Sequence, residues 1–363
     1  MEATDLTRPE TPAPARLSKL APESTRMFLE AGEASAVAAA QLSANARKIE
    51  ALAQRLRANP PRVVVTCARG SSDHAATFAR YLIETKAGVL TSSAGLSVSS
   101  VYDASPNLEG ALVLAISQSG KSPDLLASVK AAKAAGAYAV ALVNVTDSPL
   151  AELADEVIPL HAGPELSVAA TKSYIAALVA ITQLIAAWTE DEALTKALAN
   201  LPTALAQAWT QDWSPAVERL KLARNLYVLG RGVGFAVALE AALKFKETCG
   251  LHAEAFSAAE VLHGPMALVK EGFPALVFAQ NDESRTSVDE MAAGLRERGA
   301  DVLLAAPGAD GEIVGALPTL ATHPVLEPIL MIQSFYRMAN ALSVARGYDP
   351  DSPPHLNKVT ETV

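Results

Sequence analysis

Residues 233–266 read VGFAVALEAALKFKETCGLHAEAFSAAEVLHGPM and contain the strongest structural signal in the chain. Ala, Leu, Lys and Glu are strong helix formers, and no proline interrupts residues 236–248. A glycine at position 250 is typical of a helix end, because glycine adopts the left-handed conformation without strain. We therefore predict a helix that ends at Gly250 and a loop that follows it.

One face of the predicted helix is charged. Glu240, Lys244 and Glu247 are spaced i, i+4 and i+7, so they lie on the same side. The simplest interpretation is a solvated face, on which such Glu–Lys pairs add only a few tenths of a kcal/mol. The opposite side carries four apolar residues that we expect to pack inward: Ala238, Leu239, Ala242 and Leu243.

The loop predicted after the helix favours a second interpretation. It contains Glu254, Glu260 and His263, so carboxylates on a helix are followed at once by an acidic, histidine-bearing segment. Carboxylates and histidine are the usual general acids and bases of enzymes. The combination therefore raises the hypothesis of a proton-transfer site.

Composition limits the possible partners. The chain has 363 residues, of which 50% are hydrophobic, and a formal net charge of −9, which indicates a globular protein with a large core. The negative charge argues against nucleic acid or an anionic membrane as the main partner. Cys67 and Cys249 lack metal-binding spacing, so we expect two buried, inert thiols, no metal and no cofactor.

No segment resembles a secretory signal or a membrane span. Residues 1–22 carry charges and prolines but no apolar core, which predicts a mobile arm. The longest apolar run, residues 174–188, includes Gln183 and is too short to cross a bilayer. We expect a cytoplasmic protein without contact to a membrane.

Short apolar runs alternate with helical segments in the first half. Residues 62–67 and 111–116 read as strands buried on both faces, and 137–143 and 156–160 as two further strands. Helices are predicted for residues 23–59 and 169–188. Strands that alternate with helices predict a parallel sheet with helices on both faces.

The second half repeats this order. Strands are predicted at residues 225–229, 275–279 and 302–304. Matching anchors lie 162, 164 and 163 residues apart: Gly70 and Gly232, Ala111 and Ala275, Gly136 and Gly299. We predict an α/β fold of two tandem doubly wound parallel-sheet domains, each a three-layer αβα unit. The expected segments are 23–190, a connector 191–215, 216–348 and a tail 349–363.

Two strand ends in the first half are rich in serine. In such sheets, ligands bind beyond the carboxyl ends of the strands. Backbone amides and hydroxyls at helix N-termini there are suited to an anion such as phosphate, although serines can also serve only as helix caps. The candidate residues are Gly70, Ser71, Ser72, Ser117, Gln118, Ser119 and Ser122. The glycines at 230, 232 and 234 have the spacing GxGxG, which does not match the dinucleotide fingerprint.

Several motifs together resemble the SIS (sugar isomerase) domain family. The similarity is greatest to the isomerase half of glucosamine-6-phosphate synthase and to free-standing glucosamine-6-phosphate deaminases, and it covers residue 27 to the C-terminus. The motifs are GSS (70–72), SQSG (117–120), ALEAALKFKE (238–247), HAEAF (252–256), HGPMAL (263–268) and HLNKVT (355–360). The resemblance implies two tandem SIS domains and a homodimer whose active sites lie at the subunit interface.

The resemblance also implies roles for individual residues. Glu247 corresponds to the base that moves a proton between C1 and C2 of the sugar, with Lys244 and Glu240 lining the same site. His263 corresponds to the histidine from the partner subunit that opens the sugar ring, and Lys358 to the tail lysine that forms a Schiff base with the keto sugar. The residues implied to hold the sugar phosphate are Ser72, Ser117, Gln118, Ser119 and Ser122. Ala170 departs from the family, which usually has a serine there in contact with the sugar.

Three functions stay open at this point. The synthase carries a glutaminase domain with an N-terminal cysteine, whereas residue 2 here is Glu2, so we expect no glutamine hydrolysis by this chain alone. The first hypothesis is deamination of glucosamine 6-phosphate to fructose 6-phosphate and ammonia. The second is a deaminase, deglycase or isomerase of another phosphosugar, such as galactosamine 6-phosphate. The third is a non-enzymatic sugar-phosphate sensor.

Overall fold

The computed structural model describes residues 20–104, 106–309 and 313–358, so most of the arm predicted for residues 1–22 lies outside the described residues. Within these residues, ten strands form two sheets. The strands are β1 (Val64–Cys67), β2 (Thr91–Ser93), β3 (Leu112–Ser117), β4 (Tyr138–Val143), β5 (Glu156–Pro159), β6 (Asn225–Gly230), β7 (His252–Ser257), β8 (Pro274–Phe278), β9 (Asp301–Ala305) and β10 (Ala316–Leu317).

Helices precede, connect and cover the strands. The α-helices are α1 (Arg26–Gly32), α2 (Ala34–Ala58), α3 (Ser71–Leu82), α4 (Ser97–Ser100), α5 (Pro123–Ala134), α6 (Pro149–Leu153), α7 (Lys172–Trp188), α8 (Glu192–Trp209), α9 (Ser214–Leu220), α10 (Val233–Cys249), α11 (Arg285–Glu297) and α12 (Glu327–Ala345). Shorter turns are the π-helix Ile83–Ala87 and the 3₁₀ helices Pro22–Ser24, Ala258–His263 and Pro265–Leu268.

Both sheets are five-stranded and parallel throughout. Their orders are β2-β1-β3-β4-β5 and β10-β9-β8-β6-β7. In each sheet the first strand of the half lies between the second and the third, so the strand order reverses at β1/β3 and again at β6/β8. The predicted α/β fold with two tandem parallel sheets is confirmed. The segment predicted as a loop after Gly250 is instead the edge strand β7, in which polar and apolar residues alternate as they do in a half-buried strand.

The duplication extends to backbone geometry. Gly70, which follows β1, has φ 55° and ψ −132°, and Gly232, which follows β6, has φ 58° and ψ −132°. Positive φ at both positions requires glycine, because a Cβ would strain the backbone. The two glycines make the same turn from a strand into the helix that follows it, α3 in the first half and α10 in the second.

Helix α10 is central, but its faces are the reverse of those expected. It packs against α3 of the first half and α12 of the second. Ala238 and Ala242 are buried as predicted, whereas Leu239 and Leu243 are only partly buried. The charged side is the more deeply buried one, because Glu240 and Lys244 are almost completely inaccessible. A solvated charged face is therefore wrong, because α3 and α12 cover it.

None of the helices within the described residues combines the length and the apolar character that crossing a membrane requires.

We predict that the end of α10 at Gly250 is intolerant of a side chain. Gly250 has φ 55°, and an added Cβ would lie 2.3 Å from the Tyr348 hydroxyl oxygen. Gly250→Ala should lower the free energy of unfolding by roughly 2–3 kcal/mol, because left-handed strain and overpacking add. Gly88→Ala is the control, since Gly88 has φ 68° but open space around it. It should cost about 1 kcal/mol. If urea denaturation showed equal losses in the free energy of unfolding for the two variants, the predicted clash with Tyr348 would be wrong.

Candidate active site

A cavity of about 390 Å³ lies where the first sheet reverses its strand order. Its walls come from the loops after β1 and β3, from α10 of the second half and from the C-terminal tail. This is the position expected for a ligand in an open parallel sheet. The lining residues are Arg69, Gly70, Ser71, Ser72, Ile116, Ser117, Gln118, Ser119, Ser122, Leu125, Val168, Ala170, Lys244, Glu247, Leu356, Asn357 and Lys358.

A buried ammonium with two carboxylates forms the α10 wall of the cavity; we call Glu240, Lys244 and Glu247 the charged cluster. Lys244 Nζ lies 2.5 Å from Glu247 Oε2 and 3.3 Å from Glu240 Oε1. It also donates to Ser71 Oγ at 3.1 Å, which ties α10 to the N-terminus of α3. A buried charge is tolerated only when it is paired and hydrogen-bonded, as Lys244 is.

Glu240 is held at the back of the cluster. Its carboxylate accepts hydrogen bonds from the Ser71 hydroxyl at 3.1 Å and the Tyr336 hydroxyl at 3.1 Å, and His74 Nδ1 lies 2.9 Å away. Glu240 does not line the cavity, although the sequence predicted that it would. Its contacts make it a support for Lys244 rather than a group facing a ligand.

The environment shifts the pKa values of this cluster in a consistent direction. Burial alone would raise the pKa of Glu240, but the Lys244 ammonium, the His74 ring and the Ser71 hydroxyl outweigh it and lower the pKa. Burial would lower the pKa of Lys244, but Glu240 and Glu247 outweigh it and raise the pKa. Both residues are therefore charged at neutral pH.

Glu247 is the member of the cluster that faces the cavity. Its side chain is 22% exposed, and one carboxylate oxygen is bound by Lys244. The other oxygen makes no hydrogen bond within the described residues, which leaves it able to act on a ligand. A carboxylate on a rigid helix beside a fixed ammonium can remove a proton from carbon and stabilise the negative charge that develops.

The opposite wall presents hydroxyl groups, and we call Ser72, Ser119 and Ser122 the serine cradle. No hydrogen bond within the described residues uses these three hydroxyls, whereas the Ser117 hydroxyl accepts from Gly120 N at 2.9 Å and shapes the loop. The cradle lies at the N-termini of α3 and α5, where the helix dipole favours an anion. Ser122 is the N-cap residue of α5, but its side chain makes no capping hydrogen bond.

The tail brings Lys358 to the wall of the cavity. Lys358 Nζ donates to Ser167 O at 2.7 Å and lies 3.5 Å from Glu165 Oε2. Glu165 is buried and also accepts from the backbone amides of Thr171 and Ser173 at the start of α7. Ala170 lines the cavity beside this turn without a hydroxyl.

His263 is a candidate catalytic residue that does not line this cavity in its own chain. It is exposed at the end of the 3₁₀ helix Ala258–His263 and does not line the cavity. Its own chain thus does not bring it to Glu247.

Four polar residues of the site were missed from the sequence: Arg69, His74, Glu165 and Tyr336. Each is distant in sequence from its partner and acts through tertiary contact. Only Arg69, which directly precedes Gly70, could have been recognised from its neighbours.

Burial raises the pKa of each cysteine thiol, Cys67 and Cys249, to about 12, so both are inert as expected. No group of three or more His, Cys, Asp or Glu that could bind a metal occurs within residues 20–104, 106–309 and 313–358.

The SIS domain family model matches residues 58–187 and 219–316, one segment in each half of the chain. The chain belongs to the SIS domain family. The two matched segments correspond to the two parallel sheets, so each half is one SIS domain.

Curated relatives are longer than this SIS protein. The chain is 36% identical over 308 residues to a glutamine–fructose-6-phosphate aminotransferase (isomerizing) from Aeropyrum pernix, which covers 80% of this chain and 49% of the relative. The enzyme of the same name from Symbiobacterium thermophilum is 35% identical over 316 residues, with 82% and 51% covered. The chain thus spans about half the length of the curated relatives it matches.

Solved structures share the two-domain SIS arrangement. A candidate phosphosugar isomerase from Silicibacter pomeroyi is 45% identical with a TM-score of 0.85, and the match covers 90% of this chain and all of the other. The C-terminal domain of a glucosamine-fructose-6-phosphate aminotransferase from Francisella tularensis is 26% identical, with a TM-score of 0.79 and coverage of 91% and 98%. A glucosamine-6-phosphate deaminase from Thermotoga maritima, 21% identical, shares the fold with a TM-score of 0.76, covering 93% and 100%.

The second SIS domain has a corresponding cavity of about 590 Å³ with different chemistry. Its loop after β8 reads Gln-Asn-Asp-Glu-Ser, residues 280–284, where the first domain has the serine-rich loop. The Asp282 carboxylate accepts hydrogen bonds from Ser284 N, Ser284 Oγ and Gln280 Nε2. In the second domain, a negative side chain therefore occupies the loop that corresponds to the serine-rich loop of the first domain.

We predict that Glu240 stabilises the SIS fold through Lys244. Glu240→Gln should lower the free energy of unfolding at pH 7 by about 3–5 kcal/mol, because it removes one partner of a buried ion pair. Glu247→Gln is the control and should cost no more than about 1–2 kcal/mol, since Glu247 is partly exposed.

The effect should depend on pH with a defined sign. Because the folded-state pKa of Glu240 lies below its ordinary value of 4.5, its contribution is fully present above that pH and is lost as the pH falls through the folded value. The free energies of unfolding of the wild type and of Glu240→Gln, measured by urea denaturation between pH 3 and 7, should converge at low pH. A constant difference between wild type and Glu240→Gln would contradict this assignment.

Proposed function

We propose that this SIS protein is a phosphosugar isomerase and deaminase that converts glucosamine 6-phosphate to fructose 6-phosphate and ammonia. The observation that supports this most is the opposition of the serine cradle and the Glu247 carboxylate across one cavity of about 390 Å³. That volume suits a hexose phosphate, since small-molecule sites begin at roughly 300 Å³.

The phosphate is expected to anchor the sugar at the first domain. Hydroxyls of the serine cradle and the N-termini of α3 and α5 supply donors and a favourable dipole. An anchored phosphate positions C1 and C2 near α10, and its binding energy offsets the entropy lost by the reacting end. The two domains thus have separate tasks in one reaction.

Glu247 is proposed as the base for isomerisation. Its carboxylate removes the proton from C2 of the open-chain amino aldose and returns it to C1, while a proton from the amine passes to the oxygen at C1, which leaves an imine at C2. Lys244, held in its charged state, stabilises the negative charge that develops on the oxygen at C1. Water then adds to C2 and ammonia leaves, which gives the keto sugar.

Lys358 is proposed to act on the keto sugar at C2. Its position in the cavity beside Ala170 supports contact with the sugar. In the deprotonated form its amine can attack the C2 carbonyl with loss of water, forming a Schiff base. C2 carries the amino group in the substrate, so the amine of Lys358 can replace ammonia at that carbon.

We also propose a homodimer in which His263 serves the partner's cavity and opens the sugar ring. Exposed leucines near His263 and near the cavity support such an interface. Leu262 and Leu268 lie on either side of His263 in the sequence, Leu166 precedes α7, and Leu356 lines the cavity. Apolar side chains with this exposure are suited to burial between subunits.

One observation supports a second phosphosugar as substrate. Ala170 lines the cavity where the family usually has a hydroxyl, so one sugar contact is missing. Galactosamine 6-phosphate and amine-linked fructose phosphates are the alternatives, because they keep the anchoring phosphate. A panel of these substrates ranked by kcat/KM distinguishes them from glucosamine 6-phosphate.

We predict that Glu247→Gln lowers kcat for ammonia release roughly 10²–10⁴-fold, because it removes the general base. Ammonia and fructose 6-phosphate are measured together on the purified protein, and binding of fructose 6-phosphate is measured by calorimetry. Retained turnover would refute the base assignment. Binding without turnover in the wild type, on every amino-sugar phosphate, would favour the sensor.

If each active site is shared between two subunits, two inactive variants should complement each other in a mixed dimer. Glu247→Gln and His263→Asn variants should each be inactive, but subunits unfolded and refolded together should regain activity. Half of the dimers are then mixed, and each has one intact site, so about a quarter of the wild-type rate is expected. The control is each variant unfolded and refolded alone under the same conditions. No recovery in a mixture shown to contain mixed dimers would mean that His263 does not serve the partner.

A further inference from the structure

Arg69 is a charged residue of the cavity that the proposed reaction leaves unused. It precedes Gly70 in the loop after β1, and Nε and Nη2 lie 2.8 and 2.7 Å from Asp124 Oδ2. The Asp124 side chain is fully buried, whereas that of Arg69 is 53% exposed. One edge of the guanidinium is therefore fixed by a rigid acceptor while the rest remains accessible from the cavity.

The pair also joins the two loops that carry the serine cradle. Ser72 lies three residues after Arg69, and Ser122 lies two residues before Asp124, which is in the first turn of α5. An Arg–carboxylate pair with two donors has a defined orientation. The separation of the two loops and the direction of the guanidinium are thus set together, before any ligand arrives.

Arg69 is the cation at the serine end of the cavity. The described residues that line the cavity include three cations, Arg69, Lys244 and Lys358. Lys244 is paired within the charged cluster, and Lys358 is held by Ser167 and Glu165. Nη1 of Arg69 makes no hydrogen bond within the part of the chain that the structure describes. Guanidinium groups suit phosphate because several donors lie in one plane.

We propose that Arg69 is the residue that selects for a doubly charged phosphate, and that Asp124 positions it. The remaining donors of the guanidinium bind phosphate oxygens beside the serine cradle. Neutral sugars and singly charged phosphates lose part of this interaction. The inference rests on the proposed function, because it assigns the anionic end of the same ligand.

The second domain offers an internal comparison. Arg231 precedes Gly232 as Arg69 precedes Gly70, and Arg231 Nη1 lies 3.2 Å from Ser287 Oγ. In both domains an arginine after the first strand therefore contacts the first turn of the helix that follows the third strand, α5 in the first domain and α11 in the second. A buried acidic partner together with the hydroxyls of the cradle is found in the first domain, whose cavity is the one suited to phosphate.

The experiment compares three variants of the full chain: Arg69→Met, Asp124→Asn and Lys121→Met. Binding of inorganic phosphate is measured by calorimetry, and KM and kcat are measured with the phosphosugar. Arg69→Met should raise both the Kd and KM roughly 10–100-fold, with a smaller change in kcat, because charge-assisted hydrogen bonds are lost. Lys121→Met removes the same charge from an exposed position outside the cavity and should change neither constant more than about twofold.

The Asp124→Asn variant distinguishes phosphate binding by Arg69 from a purely structural role of Arg69. If Arg69 binds the ligand, Asp124→Asn should weaken phosphate less than Arg69→Met, because the guanidinium is still present. If Arg69 only joins the loops, the two variants should weaken phosphate and lower Tm equally, and that result would overturn the inference. Unchanged phosphate binding in a folded Arg69→Met would overturn it as well.

The pH profile supplies a readout that a purely structural role would not change. The second ionisation of a phosphate ester has a pKa of about 6, so the affinity of the wild type for fructose 6-phosphate, measured by calorimetry, should rise between pH 5 and 7.5. Arg69→Met should flatten that rise, whereas a profile parallel to wild type would contradict the proposal. Arg69-dependent phosphate binding without turnover of any phosphosugar would refute the proposed function and leave this inference standing.

Discussion

The buried contact between Lys244 and its two carboxylates is the constraint on which the rest of the structure depends. It joins the domains, because Lys244 and Glu240 of α10 both bind Ser71 at the start of α3. It also orients Glu247 towards the cavity and keeps the ammonium charged. The same charged groups therefore serve stability and chemistry. Burying them unpaired would destabilise the fold, and the proposed proton transfer needs them in their charged form.

Duplication explains why one molecule contains two switch-point cavities with different chemistry. The turns at Gly70 and Gly232 have the same backbone angles, so the scaffold is repeated closely. The first copy has the hydroxyls of the serine cradle after its strands, whereas the second has Asp282 in the corresponding loop. The second copy contributes α10 instead, which supports a division into an anion-binding domain and a domain that supplies the base.

The sequence predicted the elements that depend on local pattern. Buried strands such as β3, the helix from Val233 and its end at Gly250 follow from apolar runs, helix propensity and glycine. The edge strand β7 was missed because its acidic, histidine-bearing sequence favours a loop, although the polar and apolar alternation of HAEAF is typical of a half-buried strand. The burial of Glu240 could not be predicted, because α3 and α12 lie far away in sequence. The roles of Glu247, Lys358 and His263 came from family resemblance and stay predictions.

The most direct test of this account is a crystal structure with glucitol 6-phosphate, an open-chain analogue that cannot isomerise. The account predicts phosphate oxygens within about 2.6–3.2 Å of the serine cradle hydroxyls and C1 or C2 within about 3.5 Å of the Glu247 carboxylate. A phosphate bound elsewhere, or reacting carbons distant from Glu247 of either subunit, would contradict it.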